Sequence, residues 1–375
     1  MEDQMIPLTI IIGILLFINL ITIANVLTAP MIKRGPMPVY TPLVSICIPV
    51  RNERDNIGRC LETMLFQDYP EFEILILDDH STDDTLGVIS KFQDSRIKIF
   101  QGDVLPNGWT GKNWACHQLS QQAKGEYLIF TDADNFYHPS AVSKTIGWMQ
   151  KLNLSLISAF PQQLTESMAE KLVIPVIDMF VYSFLVLRFT FLLRFPSMAA
   201  ANGQWLAFTQ RGYELIGGHK GVKSHIVEDT ELARKAKRKG ERMMTTSGRG
   251  AVYGHMYHSW SEVWHGFSKN AFGLLGYRFT ALTIFLILLC GSYIAPWFFL
   301  LCSEFKLAAL AAIGLGVFQR MILALKFKQP VYTSTLLNPA GIVAVMAIAL
   351  HSSIRYWMGS IQWKDRTVLF SKDNK

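Results

Sequence analysis

Two aspartates that follow an apolar run are the residues of this chain best suited to chemistry. The run Tyr127–Phe130 (YLIF) leads through Thr131 into Asp132 and Asp134. Side chains at i and i+2 of an extended chain point the same way, so two carboxylates at a strand end can converge on one hard cation. Divalent ions such as Mg²⁺ take carboxylate oxygens and keep positions open for substrate phosphates. A surface turn, in which aspartate is common, is the alternative interpretation.

Short strand patterns alternate with helical patterns along the part of the chain that must position these acids. Helical spacing of apolar residues fills most stretches between the strands. Such alternation predicts an α/β fold with a mostly parallel sheet and helices on both faces. Apolar or β-branched runs predict strands at 43–48, 73–77, 96–100, 127–130, 154–160 and 202–209.

Polar residues cluster where three of these strands end. In open α/β sheets, ligands bind beyond the carboxyl ends of the strands. Three such clusters exceed what turn formation requires. The sequence has no GxGxxG after the first strand and no GxxxxGK[ST], which excludes a dinucleotide fingerprint and a P-loop. The clusters are Arg51, Asn52 and Glu53 after the first strand, Asp78 and Asp79 after the second, and Asp132 and Asp134 after the fourth.

A polar helix predicted over 227–240 carries acids in its first turn, Glu228 and Asp229 among them. The helix dipole favours negative charge there, and this structural role is the alternative interpretation of Asp229. Between Lys220 and Arg249, nine Lys or Arg residues stand against four acids. A solvated face would explain them, but contact with anionic lipid head groups is preferred because apolar segments flank the domain. Nucleic acid is not expected as a partner, since the basic run matches no recognised module.

Composition and hydropathy indicate a membrane protein. Half of the residues are hydrophobic and only 17% are charged, which is too apolar for a purely soluble protein of this size. Residues 6–27 carry no charge and are long enough to span a bilayer as a helix. A cleaved signal peptide is the competing interpretation, but Glu2 and Asp3 make the start acidic. Lys33 and Arg34 follow the run and place the next domain in the cytoplasm.

Four more apolar segments follow, three of them predicted to span the membrane. The spans are expected at 279–302, at 307–325 with an interruption at Arg320, and at 331–354. The stretch 172–195 is apolar but charged in places, which predicts a helix lying on the membrane surface. Three spans would place the tail outside, whereas its basic residues favour the inside, so one segment would be re-entrant or interfacial.

These segments predict a multi-pass protein of the cell membrane with a cytoplasmic catalytic domain. The predicted parts are an N-terminal transmembrane anchor at 1–35, a cytoplasmic domain at 36–276 that includes the interfacial helix at 172–195, C-terminal membrane helices at 277–358, and a cytoplasmic tail at 359–375.

Five short motifs occur in the order found in one enzyme family. Together they resemble the family-2 glycosyltransferases with the GT-A fold, a Rossmann-like α/β fold, over about residues 43–276. Membrane-flanked members that glycosylate carotenoid or other polyisoprenoid lipids (the diaponeurosporenoate type) and hopanoid-associated members look most similar, through GKNWAC and a closing WKDR at 363–366. The five motifs are PVRNE at 49–53, LDDHSTDDT at 77–85, GKNWAC at 111–116, TDAD at 131–134 and VEDTELA at 227–233.

The resemblance implies a hexosyltransferase that uses a nucleotide-diphosphate sugar, such as a UDP-sugar, together with Mg²⁺ or Mn²⁺. For His255, a structural role is the alternative interpretation. Carried over by position, the implied roles are nucleotide binding by Pro49, Arg51, Glu53, Asp78 and Asp79, contact with the phosphates by Lys112, metal binding by Asp132 and Asp134 with His255 as a further ligand, and general-base catalysis by Asp229 beside Glu228.

The resemblance also implies a single, inverting transfer to a lipid acceptor at the bilayer. Processive polysaccharide synthases carry a QxxRW motif, whereas this chain has HSWSEVWHG at 258–266 in its place. Three alternatives stay open: a nucleotidyltransferase acting on a lipid phosphate, a glycosyltransferase acting on a glycerolipid or a polysaccharide precursor, and a membrane scaffold without activity.

Overall fold

The computed structural model describes residues 2–358 and the pairs 362–363 and 366–367. Apart from those pairs, the predicted tail at 359–375 and its WKDR motif lie outside the described residues. The chain forms two compact units. The described part of the sheet unit comprises Pro30–Leu164 and Leu187–Met256, and that of the helical unit comprises the residues up to Ala29, Thr165–Val186 and the described residues of Tyr257–Thr367.

The described elements are as follows. The strands are β1 Val44–Val50, β2 Phe72–Asp78, β3 Ile97–Gln101, β4 Tyr127–Phe130, β5 Asn135–Tyr137, β6 Leu156–Phe160, β7 Gln162–Gln163, β8 Leu206–Thr209, β9 Met243–Ser247, β10 Val252–Gly254, β11 Gln362–Trp363 and β12 Arg366–Thr367. The helices are α1 Glu2–Thr28, α2 Ile57–Leu65, α3 Thr85–Ile89, α4 Gly111–Gln122, α5 Ala141–Leu152, α6 Met168–Phe184, α7 Leu187–Leu192, α8 Gln210–Leu215, α9 Glu228–Arg238, α10 Trp260–Ser268, α11 Ala271–Leu274, α12 Phe279–Leu289, α13 Ala295–Phe299, α14 Lys306–Phe327, α15 Val331–Leu336 and α16 Asn338–Trp357.

A seven-stranded sheet forms the centre of the sheet unit, in the order β3-β2-β1-β4-β8-β6-β9. All neighbours pair in parallel except β8, which runs antiparallel to both β4 and β6. This confirms the predicted α/β fold with a mostly parallel sheet. The strand predicted at 202–209 starts later, at Leu206, because residues 202–204 form a hydrogen-bonded loop instead.

The sheet separates two apolar cores because successive side chains of a strand point to opposite faces. In β1, Ile46 and Ile48 pack into one core while Cys47 packs into the other. Helices α2 and α5 contribute to the first core, and α4 and α9 contribute to the second. The inner strands β1, β2 and β4 are therefore buried on both faces, which explains why they are nearly continuous apolar runs in the sequence, whereas the edge strand β3 is largely exposed.

A second, three-stranded sheet in the order β5-β10-β7 follows the acidic pair. In it, β10 runs antiparallel to β5, and Gly254 lies opposite Asn135. This pairing brings the chain after β10, which begins with His255, next to the residues that directly precede β5.

Within its described residues, the helical unit contains four helices that are long and apolar enough to cross a membrane by length and composition. They are Pro7–Thr28, Phe279–Phe299, Ser303–Phe327 and Asn338–Trp357. The segment predicted at 331–354 is divided at Leu337: α15 ends there, and α16 begins with Pro339 in its first turn, where proline is tolerated.

The stretch predicted as one interfacial helix, 172–195, forms two helices, α6 and α7. The division is at Leu185, whose backbone is extended. The Asn25 side chain explains the end of α6, because its Nδ2 donates to the carbonyls of Tyr182 at 2.8 Å and Leu185 at 2.7 Å. A side-chain amide that satisfies terminal carbonyls allows a helix to stop there.

Arg320, the charge that interrupts one predicted span, is fully buried in α14. Its guanidinium donates to the carbonyl of Ser334 at 3.1 Å and to that of Pro175 at 2.9 Å. Gln329 links it to Asp178, since the Gln329 amide donates to the Asp178 carboxylate at 3.0 Å. An apolar helix can carry a buried arginine when the helical unit satisfies its hydrogen bonds in this way.

Candidate active site

The carboxyl ends of three adjacent strands bring the predicted acids to one edge of the large sheet. In the register, Val50 of β1 lies opposite Asp78 of β2, and the Asp79 amide donates to the Val50 carbonyl at 2.8 Å. On the other side, the Thr131 amide donates to the carbonyl of Cys47 in β1 at 3.1 Å. Because β2 and β4 flank β1 at a strand spacing of about 4.8 Å each, their terminal acids share one edge.

The residues predicted to bind the nucleotide form a tightly bonded turn pair after β1 and β2. Arg51 donates to the carbonyl of Asp79 at 2.6 Å, and the amide of Asn52 donates to Ser81 Oγ at 3.0 Å. The buried Asp78 carboxylate accepts from the amide of Ser81 at 3.2 Å. Asp78 therefore shapes the turn that carries Asp79. The structure places Arg51, Asp78 and Asp79 together, as predicted.

Two positions at this edge have left-handed backbones that side chains rarely adopt. Asn52 has φ of 53° and His80 has φ of 57°. Asparagine tolerates this region because its side chain can bond locally, and here Asn52 Oδ1 accepts from the amide of Thr82 at 2.8 Å. The predicted Glu53 lies in the same turn, where its amide donates to Thr85 Oγ1 at 2.8 Å.

Lys112 joins acids from two different elements. Its Nζ lies 2.7 Å from Asp132 Oδ1 and 3.4 Å from Glu228 Oε1. Burial would lower the pKa of Lys112, but the two carboxylates outweigh it and hold the pKa well above its usual value. The lysine side chain is still 25% exposed, so its ammonium is a charged group that a ligand can reach.

Glu228 and Asp229 begin helix α9 at this cluster. Asp229 Oδ2 accepts from the amide of Gly203 at 2.8 Å, and Asp229 Oδ1 accepts from the amide of Thr230 at 2.6 Å. Burial raises the pKa of both carboxyl groups above the ordinary range, although Lys112 opposes the rise in each case. Two acids with raised pKa values beside a charged lysine are typical of an active site rather than of a helix dipole alone.

Asn113, the neighbour of Lys112 in α4, fastens the loop that leads into α9. Its buried amide donates to the carbonyls of Val222 at 2.9 Å, Lys223 at 3.2 Å and His225 at 2.9 Å. Two adjacent residues of α4 therefore connect to α9. Lys112 lies beside Glu228, and Asn113 holds the loop that precedes the helix.

A small cavity lies at the centre of this arrangement. Its walls come from β1, β4, α4, α9 and the loops around them, and they carry both charges and apolar surface. The lining residues are Pro49, Lys112, Cys116, Phe130, Thr131, Asp132, Gly203, Leu206, His219 and Glu228.

Asp134 and His255 lie opposite each other, just beyond the paired ends of β5 and β10. The His255 amide donates to the Asp134 carbonyl at 3.4 Å. Carboxylate oxygens with one imidazole form a donor set that suits Mn²⁺ or Mg²⁺. Asp132, however, is paired with Lys112, and within residues 2–358 no three His, Cys, Asp or Glu side chains are grouped to hold a metal. The metal roles of Asp132, Asp134 and His255 stay predictions.

Sequence reasoning missed the loop Asn202–Gln204 and the buried His219. The Gln204 carbonyl accepts from Thr131 Oγ1 at 2.6 Å and from Asn135 Nδ2 at 2.8 Å. The backbone amide of Gly203, in the same loop, donates to the carboxylate of Asp229. This loop therefore connects the acidic strand end to the acids of α9. The only sequence signals were the small, polar NGQ before an apolar strand and the glycine pair before His219.

The comparisons with known proteins agree with this geometry. The family "Glycosyl transferase family 2" matches residues 45–171. The chain is 37% identical over 108 residues to UDP-Glc:alpha-D-GlcNAc-diphosphoundecaprenol beta-1,3-glucosyltransferase WfaP of Escherichia coli, a match over 29% of this chain and 41% of the relative. It is 29% identical over 196 residues to the 4,4'-diaponeurosporenoate glycosyltransferase of Staphylococcus aureus (strain USA300), over 50% of each. These matches thus span half or less of the curated relatives.

Among solved structures, the mannosyltransferase PcManGT from Pyrobaculum calidifontis, in complex with GDP-Man and Mn²⁺, is similar with a TM-score of 0.55. The identity is 19%, and the likeness covers 92% of this chain and 99% of that one. The fold is of the GT-A type, as predicted. Residues 45–171, about a third of the chain, match glycosyl transferase family 2, which agrees with the family resemblance of the motifs. The matched relatives are glycosyltransferases, in agreement with the predicted enzyme class.

Substitution of Gly203 by alanine is expected to reduce activity about tenfold without unfolding the protein. A Cβ there would lie 3.0 Å from Lys112 Nζ and 3.3 Å from Glu228 Oε1, so the lysine would have to move by a few tenths of an ångström. Initial rates of sugar transfer measure the effect. The matched control is Gly58→Ala, whose Cβ would meet Val88 at an ordinary 3.5 Å. A Gly203→Ala enzyme as fast as this control would contradict the crowding argument.

Proposed function

We propose that this protein is a membrane-bound, metal-dependent, inverting glycosyltransferase. It transfers one sugar from a nucleotide-diphosphate sugar, such as a UDP-sugar, to a lipid acceptor of the carotenoid or polyisoprenoid kind. The observation that carries the proposal is the cluster of Lys112, Asp132, Glu228 and Asp229 at the carboxyl edge of the sheet. The part of the chain that the structure describes also carries four helices apolar enough to span a membrane, which supports a lipid acceptor.

The relatives support the substrate classes. The Escherichia coli relative is a glucosyltransferase for a diphosphoundecaprenol-linked sugar, and the Staphylococcus aureus relative glycosylates 4,4'-diaponeurosporenoate. From these named acceptors we extend an acceptor of the carotenoid or polyisoprenoid kind to this protein. We also propose the predicted arrangement, with the membrane anchor at 1–35, the cytoplasmic catalytic domain at 36–276, the membrane helices at 277–358 and the tail at 359–375.

In this proposal, the charged residues of the site promote departure of the nucleoside diphosphate from the sugar. A divalent cation bound by Asp132, Asp134 and His255 would neutralise negative charge as the sugar–phosphate bond breaks. Lys112 contributes a permanent positive charge at the same place, because its pKa is raised and a ligand can reach its ammonium. A phosphate oxygen can replace Asp132 as the partner of Lys112.

Asp229 accounts for activation of the acceptor. Its carboxylate is oriented by the amides of Gly203 and Thr230, which leave it fixed beside the cavity. In this position it takes the proton of an acceptor hydroxyl as that oxygen attacks the sugar from the face opposite the nucleotide. One displacement inverts the anomeric carbon. An acceptor that is already an ionised carboxylate needs less help from this base.

The products test the proposal. Full-length protein in vesicles made from a bacterial lipid extract containing carotenoids or polyprenyl lipids is supplied with UDP-glucose or GDP-mannose and Mn²⁺. Lipid mass spectrometry should show a hexose-sized mass gain, and the aqueous phase should contain the nucleoside diphosphate in equal amount. Release of pyrophosphate with retention of the sugar phosphate would instead identify a nucleotidyltransferase. No turnover of any nucleotide sugar would favour a scaffold.

A further inference from the structure

We propose that His219 is a hydrogen-bond donor to the diphosphate of the nucleotide sugar, an inference that rests on the function proposed above. His219 is buried, yet it lines the same cavity as Lys112 and Asp132. It lies outside the five motifs that carry the family resemblance, and no step described so far uses it.

His219 is bonded to Tyr213 through both its backbone and its ring. The His219 amide donates to Tyr213 Oη at 3.0 Å, and the same oxygen lies 2.7 Å from His219 Nδ1. In the proposed contact the Tyr213 hydroxyl donates to Nδ1, so the ring proton of the neutral histidine resides on Nε2. Nε2 is the ring nitrogen that is not bonded to Tyr213, and it is the donor assigned to the ligand.

The turn before His219 is built for this contact. Gly217 and Gly218 both have left-handed backbones, with φ of 83° and 48°. A Cβ on Gly218 would lie 2.4 Å from the ring of Tyr213, so only glycine lets the chain pass this close. The ring of Phe130 packs edge-on against His219 with centroids 4.6 Å apart. The imidazole is therefore clamped on two sides, as a preorganised binding group should be.

The charges nearby decide what this N–H can bind. Burial and the positive charge of Lys112 lower the pKa of His219 to about 3, so the imidazole stays neutral at physiological pH. A neutral N–H beside a lysine favours an anionic oxygen, because both groups donate to it without repelling each other. The diphosphate supplies such an oxygen.

Three variants of the full-length protein test this role by calorimetric titration with UDP or GDP in the presence of Mn²⁺. His219→Phe keeps a ring but has no N–H, and we expect it to bind the diphosphate about ten- to hundredfold more weakly. His219→Gln keeps an N–H donor and should restore most of the affinity. Tyr213→Phe removes the hydroxyl that bonds His219 Nδ1, so the ring proton no longer has to reside on Nε2. This variant should weaken binding although Tyr213 does not touch the ligand.

The outcomes distinguish hydrogen-bond donation by His219 from a role in packing alone, and they distinguish failure of this inference from failure of the proposed glycosyltransferase function. Unchanged affinity in a folded His219→Phe protein would overturn the inference. Equal losses in the Phe and Gln variants would also overturn it, since packing alone would then explain them. Thermal melting identifies any variant that fails to fold, and Tyr213→Phe then provides the remaining comparison. A wild-type protein that binds neither nucleotide and transfers no sugar contradicts the proposed function instead.

Discussion

Replacing Asp229 with asparagine is expected to slow sugar transfer about 10²- to 10⁴-fold, because an amide cannot remove a proton from the acceptor hydroxyl. The change should act on kcat more than on the affinity for the nucleotide sugar. Asparagine can still accept the amide of Gly203, which now bonds Asp229 Oδ2 at 2.8 Å, so the loop geometry is retained. Single-turnover rates with the reconstituted enzyme measure the loss.

The pH dependence of the reaction provides a second measurement of the same variant. Burial raises the pKa of Asp229, and the catalytic form is the deprotonated one. The wild-type rate should therefore fall as the pH is lowered through this raised pKa, at a higher pH than an exposed aspartate would require. The Asp229→Asn enzyme should lose that part of the profile.

Glu231→Gln is the matched control, because it makes the same change of charge in the first turn of α9. Glu231 pairs with Arg234 and Arg238 and lines no part of the cavity. Surface pairs of this kind are worth about 1 kcal/mol or less, so activity should stay near the wild-type value. An Asp229→Asn enzyme within tenfold of this control would remove Asp229 as the base.

Replacing Asp134 with alanine is expected to abolish transfer, with a loss of about 10³-fold or more. The physical reason is that Asp134 is a predicted ligand of the metal. Without it the metal would bind more weakly, and the negative charge on the departing diphosphate would not be neutralised. Transfer rates across a Mn²⁺ titration, together with direct Mn²⁺ binding by electron paramagnetic resonance, measure the effect. Both rate and Mn²⁺ affinity should fall together.

Asp55→Ala is the control for this second variant, since that side chain is 84% exposed and forms an ion pair with its neighbour Arg54. Both variants should reach the membrane in equal amount. If Asp134→Ala transfers sugar at the rate of Asp55→Ala, the metal has no essential role at this aspartate.

Much of the sheet could be predicted from the sequence because each strand has a recognisable local pattern, an apolar run that ends in polar residues. Runs such as Tyr127–Phe130 are buried on both faces and end in polar residues, so each strand and its terminal acids can be read without knowledge of the neighbours. The rule that ligands bind at the carboxyl ends then placed Asp78, Asp79 and Asp132 at one edge. This was enough to find the candidate site.

The contacts inside the site could not be predicted, because they depend on the order of strands in space. Lys112 reaches Asp132 and Glu228 only because α4 and α9 pack on the same face of the sheet. The end of α6 escaped prediction for a related reason. Asn25, the residue that satisfies its last carbonyls, is about 160 positions earlier in the chain.

Asn113 bonds three carbonyls within four residues, those of Val222, Lys223 and His225, and this has a consequence for how the sequence can vary. One residue inserted or deleted between Val222 and His225 would shift α9, which carries Glu228, relative to α4, which carries Lys112. Length changes among homologues should therefore avoid this connection. They should collect in turns such as the one from Val104 to Gly108, where Val104 is 82% exposed.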